Sequence, residues 1–133
     1  MASQVEFVTP EHPPDSAIAV QVIARTGGAG EIAFPTGHAP FIGSLMTCEV
    51  RVTEQSGDIK SFAVRGGFVS VSGTMSETKV TVLSDAAQPA DEIDRSVVEA
   101  ELAEAKATIA ANPDDPYAAD DLRWAEVRLE AIN

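Results

Sequence analysis

With Cys48 as its only cysteine, the chain can build neither a disulfide framework nor a thiolate metal cage of its own. The residue lies in the alternating run "CEVRVT" and reads as a small buried side chain. Histidine is almost as scarce. His12 sits in the proline-rich turn "PEHPPD" and His38 in "PTGHAP", too few imidazoles for a zinc site without several converging carboxylates. Basic residues number 9 against 21 acidic ones, a formal charge of −12, so a phosphate backbone is repelled and nucleic acid is excluded as a partner. Long apolar runs are absent: none approaches the roughly 18 residues needed to span a bilayer. The opening "MASQVEF" has neither the basic nor the apolar region of a secretion signal. A reducing compartment such as the cytosol is expected, with any membrane association borrowed from a partner. At 133 residues the chain suits one compact domain, or a small domain with an appendage.

What is present falls into two halves of different period. From Gln4 to about Ser84, "QVEFV", "AIAVQVIA", "CEVRVT", "IKSFAVR", "GFVSVS" and "KVTVL" are rich in β-branched residues and largely alternate. Cys48, Val50 and Val52 share one face and Glu49, Arg51 and Thr53 the other, the mark of a sheet wet on one side. "PEHPPD", "SGD", the pair Gly66–Gly67 and "SGTMSE" punctuate these runs. Many strands with such short breaks predict a β-sandwich.

After "DAAQPADEID" the period becomes helical. Ile93, Val97, Leu102, Ala105 and Ile109 predict one amphipathic helix, with Asp91 and Asp94 as first-turn acids. "NPDDP" then breaks it: Asn112 ends the helix, Asp114 or Asp115 caps the next, and Pro116 fits its first turn. Ala118, Leu122, Ala125, Leu129 and Ile132 predict the second stripe. The helices should run about 20 and about 16 residues and, across so short a loop, form an antiparallel hairpin. Its seam is largely alanine and buries little area. From Ala90 onward 12 acidic residues face 4 basic ones, placing −8 of the total −12 on this third of the chain. A weakly held hairpin able to detach is expected.

Catalytic signals are thin. Gly28, Gly30 and Ala33 spell G-x-G-x-x-A after an apolar strand, but Pro35 and Gly37 follow too soon for the helix that a dinucleotide site requires. His38 has the chemistry of a general base, yet no G-x-S-x-G and no reactive-cysteine context accompany it. A binding module is favoured over an enzyme.

Four segments then converge. "VEFVTPE", "GEIAFPTGHAPFIGSL", "FAVRGGFVSV" and "KVTVLSDAAQPADEID", in this order ahead of a helical hairpin, resemble the ε subunit of F-type ATP synthases, called δ in mitochondria. The resemblance implies a ten-stranded N-terminal β-sandwich of two sheets over residues 1–88 and a two-helix C-terminal domain over residues 89–133. It implies a non-catalytic rotor subunit of the central stalk that binds the γ subunit and the c-subunit ring, couples proton flow to ATP synthesis, and needs no cofactor or metal. By the family pattern Ala29, Gly30, Glu31 and Ile32 touch the c-ring, and His38, Ala39 and Pro40 lie near γ. The family also implies residence as a peripheral protein on the cytoplasmic face of a bacterial plasma membrane, and contact of the C-terminal helices with the catalytic β subunits.

Two departures qualify that pattern. Some members bind ATP through Ile-Asp-x-x-Arg-Ala at the first helix. Ile93 and Asp94 match, but Val97 and Val98 stand where Arg and Ala are expected, and Arg95 is displaced to another helical face. In inhibitory members the terminal helix carries positive charge, whereas here Asp120, Asp121, Glu126 and Glu130 outnumber Arg123 and Arg128. Weak inhibition of hydrolysis and no nucleotide binding are expected. The competing expectation is a freestanding small-ligand-binding protein or enzyme using the loop Gly27 to Gly30.

Overall fold

The computed structural model describes residues 3–10, 13–27, 30–37, 39–74 and 77–133. Among these residues nine strands precede two helices: β1 (Ser3–Val8), β2 (Asp15–Thr26), β3 (Gly30–Pro35), β4 (Phe41–Leu45), β5 (Cys48–Glu54), β6 (Ile59–Val64), β7 (Gly67–Gly73), β8 (Thr78–Leu83), β9 (Ala87–Pro89), α1 (Arg95–Ala111) and α2 (Pro116–Ile132).

Nine strands fill the positions of ten because β2 serves twice. Its first half pairs with β1, Ser3 opposite Ala19 and Phe7 opposite Asp15. Its second half lies between β3, with Val22 opposite Phe34, and β5, with Val22 opposite Val52. One layer therefore runs β2, β1, β8, β7, β4, and the other β3, β2, β5, β6, β9. A register shift between Ala19 and Gln21 marks the corner, as expected of a bulge that lets a strand bend from one sheet to another. Val20 lies in that corner, and its carbonyl accepts from the Thr36 N–H at 3.1 Å and from the Thr36 hydroxyl at 3.4 Å, so the bend leaves no orphaned acceptor there.

Alternation sends one residue in two to the interior. Val5, Val22, Phe34, Val50, Val52, Val64, Val69, Val80 and Val82 are fully buried between the layers, with Phe7 stacked on Phe62 at 4.1 Å between ring centres. Cys48 is among them, and burial pushes its thiol pKa up. β3 and β4 alternate too, with Ile32 and Phe34 inward and Ile42 and Ser44 outward, but the pattern is short in sequence: Gly30 and Pro35 bound β3, Gly43 interrupts β4, and β9 has three residues. An edge strand such as β3 tolerates glycine and proline because only one side of it must be paired.

The hairpin departs from expectation in phase. α1 begins at Arg95, one residue beyond its N-cap Asp94, and Asp91 belongs to a separate 3-10 turn. Hydrogen bonds from the Ser96 hydroxyl and the amides of Ser96 and Val97 hold the Asp94 carboxyl below its ordinary pKa. Val98, not Val97, faces inward: Val98, Leu102, Ala105 and Ile109 keep the four, three, four spacing, and Val97 is left exposed. Asn112 ends α1, Asp115 caps α2 and Pro116 opens it. Both helices span 17 residues. α2 is buried on two sides. Ala118 and Ala125 belong to the expected stripe, while Trp124, Val127 and Ala131 form a second cluster with Ala63 of β6.

Gly67 offers the sharpest test of the sandwich. Its φ is +119°, and a Cβ there would stand 1.9 Å from the Leu83 carbonyl oxygen of the neighbouring strand. Gly67→Ala should lower unfolding stability by about 2 to 4 kcal/mol, measured by urea denaturation of the whole chain; a midpoint within error of the parent would contradict the close approach.

Candidate functional site

The stretch from Gly27 to Pro40 is fixed at both ends by the β2 corner and by its neighbours. At one end the Gly27 N–H donates to the Ser44 carbonyl and the Met46 N–H to the Arg25 carbonyl, both at 3.1 Å, while the Thr26 hydroxyl donates to the Gly30 carbonyl at 3.2 Å. Gly30 then turns into β3 with φ +73°. At the other end the Thr36 hydroxyl lies 3.1 Å from the Ser3 hydroxyl, and the Gly37 N–H donates to the Thr78 hydroxyl at 2.9 Å. Thr36 and Gly37 are thus tied to β1, β2 and β8 before the chain turns into β4. Phe41 follows, its ring 5.4 Å from that of Phe34.

These ties separate the expected contact residues into two groups. Gly30 and Glu31 project at the β2–β3 end, and Ala39 and Pro40 are exposed at the head of β4. The five residues of β4 set the two ends about 17 Å apart. Ile32 is half-buried and packs against the main core, so its side chain holds β3 in place. Ala29 and His38, the other two expected contacts, lie outside the described residues, as does Gly28 of the G-x-G-x-x-A stretch. The remainder of that stretch is strand, with Ala33 paired opposite Ile23.

Electrostatics differ sharply between the two faces. On the outside of the β3 layer Glu31 lies opposite Arg25, and its Oε1 accepts from Arg51 Nη2 at 2.8 Å. With Glu31 52% and Arg51 38% exposed, this pair contributes about 0 to 1 kcal/mol and is free to exchange partners. On the outside of the other layer, the register places Ser16, Glu6, Thr81, Ser70 and Ile42 in one row and Val8, Leu83, Phe68 and Ser44 in the next. Ile42 is 75%, Phe68 55% and Leu83 45% exposed. Lys79 and Glu6, which carry charge on these rows and the adjoining one, pair with each other at 3.9 Å. A chain of charge −12 thus presents one sheet face of alcohols and bare apolar side chains. Sequence alternation locates the outward residues of each strand. That Ile42, Phe68 and Leu83 fall together depends on the β4–β7–β8 register, which no single strand reveals.

Candidates for chemistry are engaged elsewhere. Among the described residues no three His, Cys, Asp or Glu side chains gather as metal ligands, and no helix is long and apolar enough to cross a membrane. A cleft of about 420 Å³ between the helices and the sandwich is lined in part by Arg65 and Arg128, both paired to carboxylates. Asp94 caps α1, and Arg95 donates to Asn133 at 2.7 Å and pairs with Glu99, so the remnant of the Ile-Asp-x-x-Arg-Ala pattern is taken up by the helix end.

Residues 2–90 match the family model for the β-sandwich domain of the ATP synthase delta/epsilon chain. The chain is 34% identical over 135 aligned positions to the ATP synthase epsilon chain of Legionella pneumophila strain Corby, covering 99% of this chain and 93% of that one. It is 35% identical over 129 positions to the epsilon chain of Streptomyces avermitilis, covering 97% and 94%. In fold it resembles a chain of the Euglena gracilis mitochondrial ATP synthase OSCP/F1/c-ring assembly, with a TM-score of 0.66 at 22% identity over 96% of this chain and 75% of that one.

The β2–β3 turn yields a test of conformation against bulk. A Cβ on Gly30 would meet nothing within 4 Å, yet φ is +73°. Gly30→Ala should destabilise by about 1 kcal/mol and Gly30→Asn by less, since asparagine tolerates the left-handed region. Equal denaturation midpoints for the parent and both variants would show that the turn adopts another conformation in solution.

Proposed function

The chain belongs to the delta/epsilon family of ATP synthase subunits, non-catalytic members of that complex, and from that premise we propose that it is the stalk subunit that couples the γ subunit to the c-ring. The observation that carries this reading is the near-complete alignment with bacterial epsilon chains, through sandwich and hairpin alike. The structure adds two surfaces suited to the task. The turn at Gly30 and Glu31 carries the c-ring contact: its glycine allows close backbone approach, and the exposed carboxylate can leave Arg51 for a polar partner at little cost. The γ contact begins at Ala39 and Pro40 and continues over Ile42, Phe68 and Leu83. An interface core is depleted of charge, and this face has that character in a strongly acidic chain. Both surfaces stand on sheet, so little entropy is lost on docking, which suits a component that transmits torque. Such a subunit reaches the cytoplasmic face of a bacterial plasma membrane through its complex.

The freestanding small-ligand reading gains nothing. Ala33, where its motif calls for a helix, lies in a strand, and the similar proteins are ATP synthase chains.

Crosslinking and affinity test the two surfaces separately. Glu31→Cys should form a disulfide with a cysteine placed in the polar loop of the c subunit, and Gly57→Cys, in the β5–β6 turn at the opposite end of the sandwich, should not. Disulfide formation from Gly57→Cys alone would reverse the assignment. Phe68→Asp should weaken binding to isolated γ at least about tenfold, or about 1.4 kcal/mol, while costing no more than about 1 kcal/mol of unfolding stability, the loss expected of a half-exposed strand position opposite Leu83. Undiminished affinity would remove this face from the interface.

For the hairpin we propose weak inhibition of hydrolysis. Four acids and two arginines give α2 a net charge of −2, and Trp124 and Val127, its large apolar anchors, are buried against the sandwich. Residues 1–90 are proposed to form the autonomous unit, two residues beyond the boundary expected at 88, because β9 pairs with β6 through Pro89. Deleting residues 91–133 should raise ATP hydrolysis by the assembled enzyme less than about tenfold; a larger rise, above about 1.4 kcal/mol in activation free energy, would show the hairpin to be the brake.

A further inference from the structure

Arg65 stands between the end of β6 and the glycine pair that opens β7, and its guanidinium leaves the sandwich to meet α2. Nε and Nη2 donate to Asp120 Oδ2 at 3.1 and 2.5 Å, and Nη2 also donates to Asp121 Oδ1 at 2.7 Å. The same guanidinium lies 5.9 Å from the centre of the Trp124 ring. That ring meets a second cation, Arg128, at 4.9 Å. Arg128 is 6% exposed and is held by the Trp124 carbonyl and by Glu101 of α1. A continuous path of charged and π contacts thus runs from the sandwich through α2 to α1: Arg65, Trp124, Arg128, Glu101.

The apolar part of this junction is small. Ala63, Trp124, Val127 and Ala131 form it, with Ala86, Ala90 and Ile93 at its border, so alanines supply much of the contact and bury little area. Meanwhile the two bodies repel. The chain through Pro89 carries −4 and the segment from Ala90 carries −8. Arg65 places a cation at the seam between two acidic bodies, against two carboxylates of the second.

We infer that Arg65 is an electrostatic latch that holds the helical hairpin on the sandwich, offsetting the like-charge repulsion between them, and that α1 is carried by α2 through Arg128. Removing the latch frees the hairpin as one unit. Because the pairs at 2.5 to 2.7 Å are short-range and partly shielded, whereas the opposing repulsion is long-range, salt acts mainly on the repulsion. The latch therefore matters most at low ionic strength. This inference is independent of which partner meets either sheet face.

Trp124 is the sole tryptophan and reports its own burial. In the full chain, Arg65→Gln should make Trp124 more accessible to the neutral quencher acrylamide at about 0.02 M salt and less so as salt rises to about 0.5 M, while the parent changes little across that range. Amide exchange across residues 95–132 should be faster in the variant by between about threefold and about tenfold at low salt; this second readout is indifferent to any direct effect of the guanidinium on fluorescence. Asp120→Asn with Asp121→Asn removes the latch from exposed positions on the helix. It should speed exchange less, since it also removes repulsion, and adding Arg65→Gln to it should change little further. Exchange in Arg65→Gln within twofold of the parent at low salt, or additive effects of Arg65→Gln and the aspartate changes, would overturn the latch. If Arg65→Gln does not fold, parent-like exchange in the double aspartate variant would overturn it equally.

Discussion

A strand of twelve residues cannot lie flat in two sheets, and β2 belongs to both only because the chain bends between Ala19 and Gln21. The bend would expose a carbonyl at Val20 in a partly buried place, and the backbone and hydroxyl of Thr36 satisfy it. That arrangement fixes more than the corner. It commits Thr36 to one position, and Thr36 with Gly37 fixes where the chain leaves β3 and enters β4. The two proposed contact surfaces are therefore held apart by the geometry of a single bulge. The layers close over a core rich in valine, whose stiff, branched side chains fit a pleated surface.

Charge is distributed with equal economy of means. The hairpin holds most of the excess negative charge, and the outer face of the β1–β8–β7–β4 layer holds almost none. The first arrangement favours solvation of the appendage; the second leaves a surface whose desolvation costs little. Glycine meets two different constraints: Gly67 lies against Leu83 with no room for a side chain, and Gly30 turns in the left-handed region beside the exposed Glu31. Arginine marks the seams. Arg51 steadies Glu31, Arg65 joins sandwich to hairpin, and Arg128 joins helix to helix. At Arg65 and Arg128 a guanidinium suits the seam because its planar fork serves a carboxylate and the Trp124 ring together.

Much of this was legible in order of residues alone. Period-two runs located β1, β2, β5, β6, β7 and β8, and the caps Asn112 and Asp115 with Pro116 bounded the helices, because these features depend on neighbours a few residues apart. β3 and β4 were harder, since Gly30 and Pro35 at the ends of β3, and Pro40 before and Gly43 within β4, read as turn. The choice of Val98 over Val97 was beyond local reading: adjacent valines differ by one step of helical phase, and only the position of α2 decides which is covered. Likewise Trp124 and Val127 lie off the expected stripe because α2 has two partners, a helix and a sheet, and a single periodicity describes only one.

Sequence by itself determined the alternating and helical segments, the concentration of acid beyond Ala90, the resemblance carried by the Gly-Glu and Gly-His-Ala-Pro segments, and hence the kind of protein this is. Tertiary structure alone decided that one strand serves two sheets, that Ile42, Phe68 and Leu83 meet on one face, and that Arg65 reaches Asp120 and Asp121 across more than fifty residues of chain. The physical reason is one of range. Periodicity, caps and composition express interactions between near neighbours, which the order of residues records directly, whereas register between strands and contact between layers depend on which surfaces the whole chain must bury together.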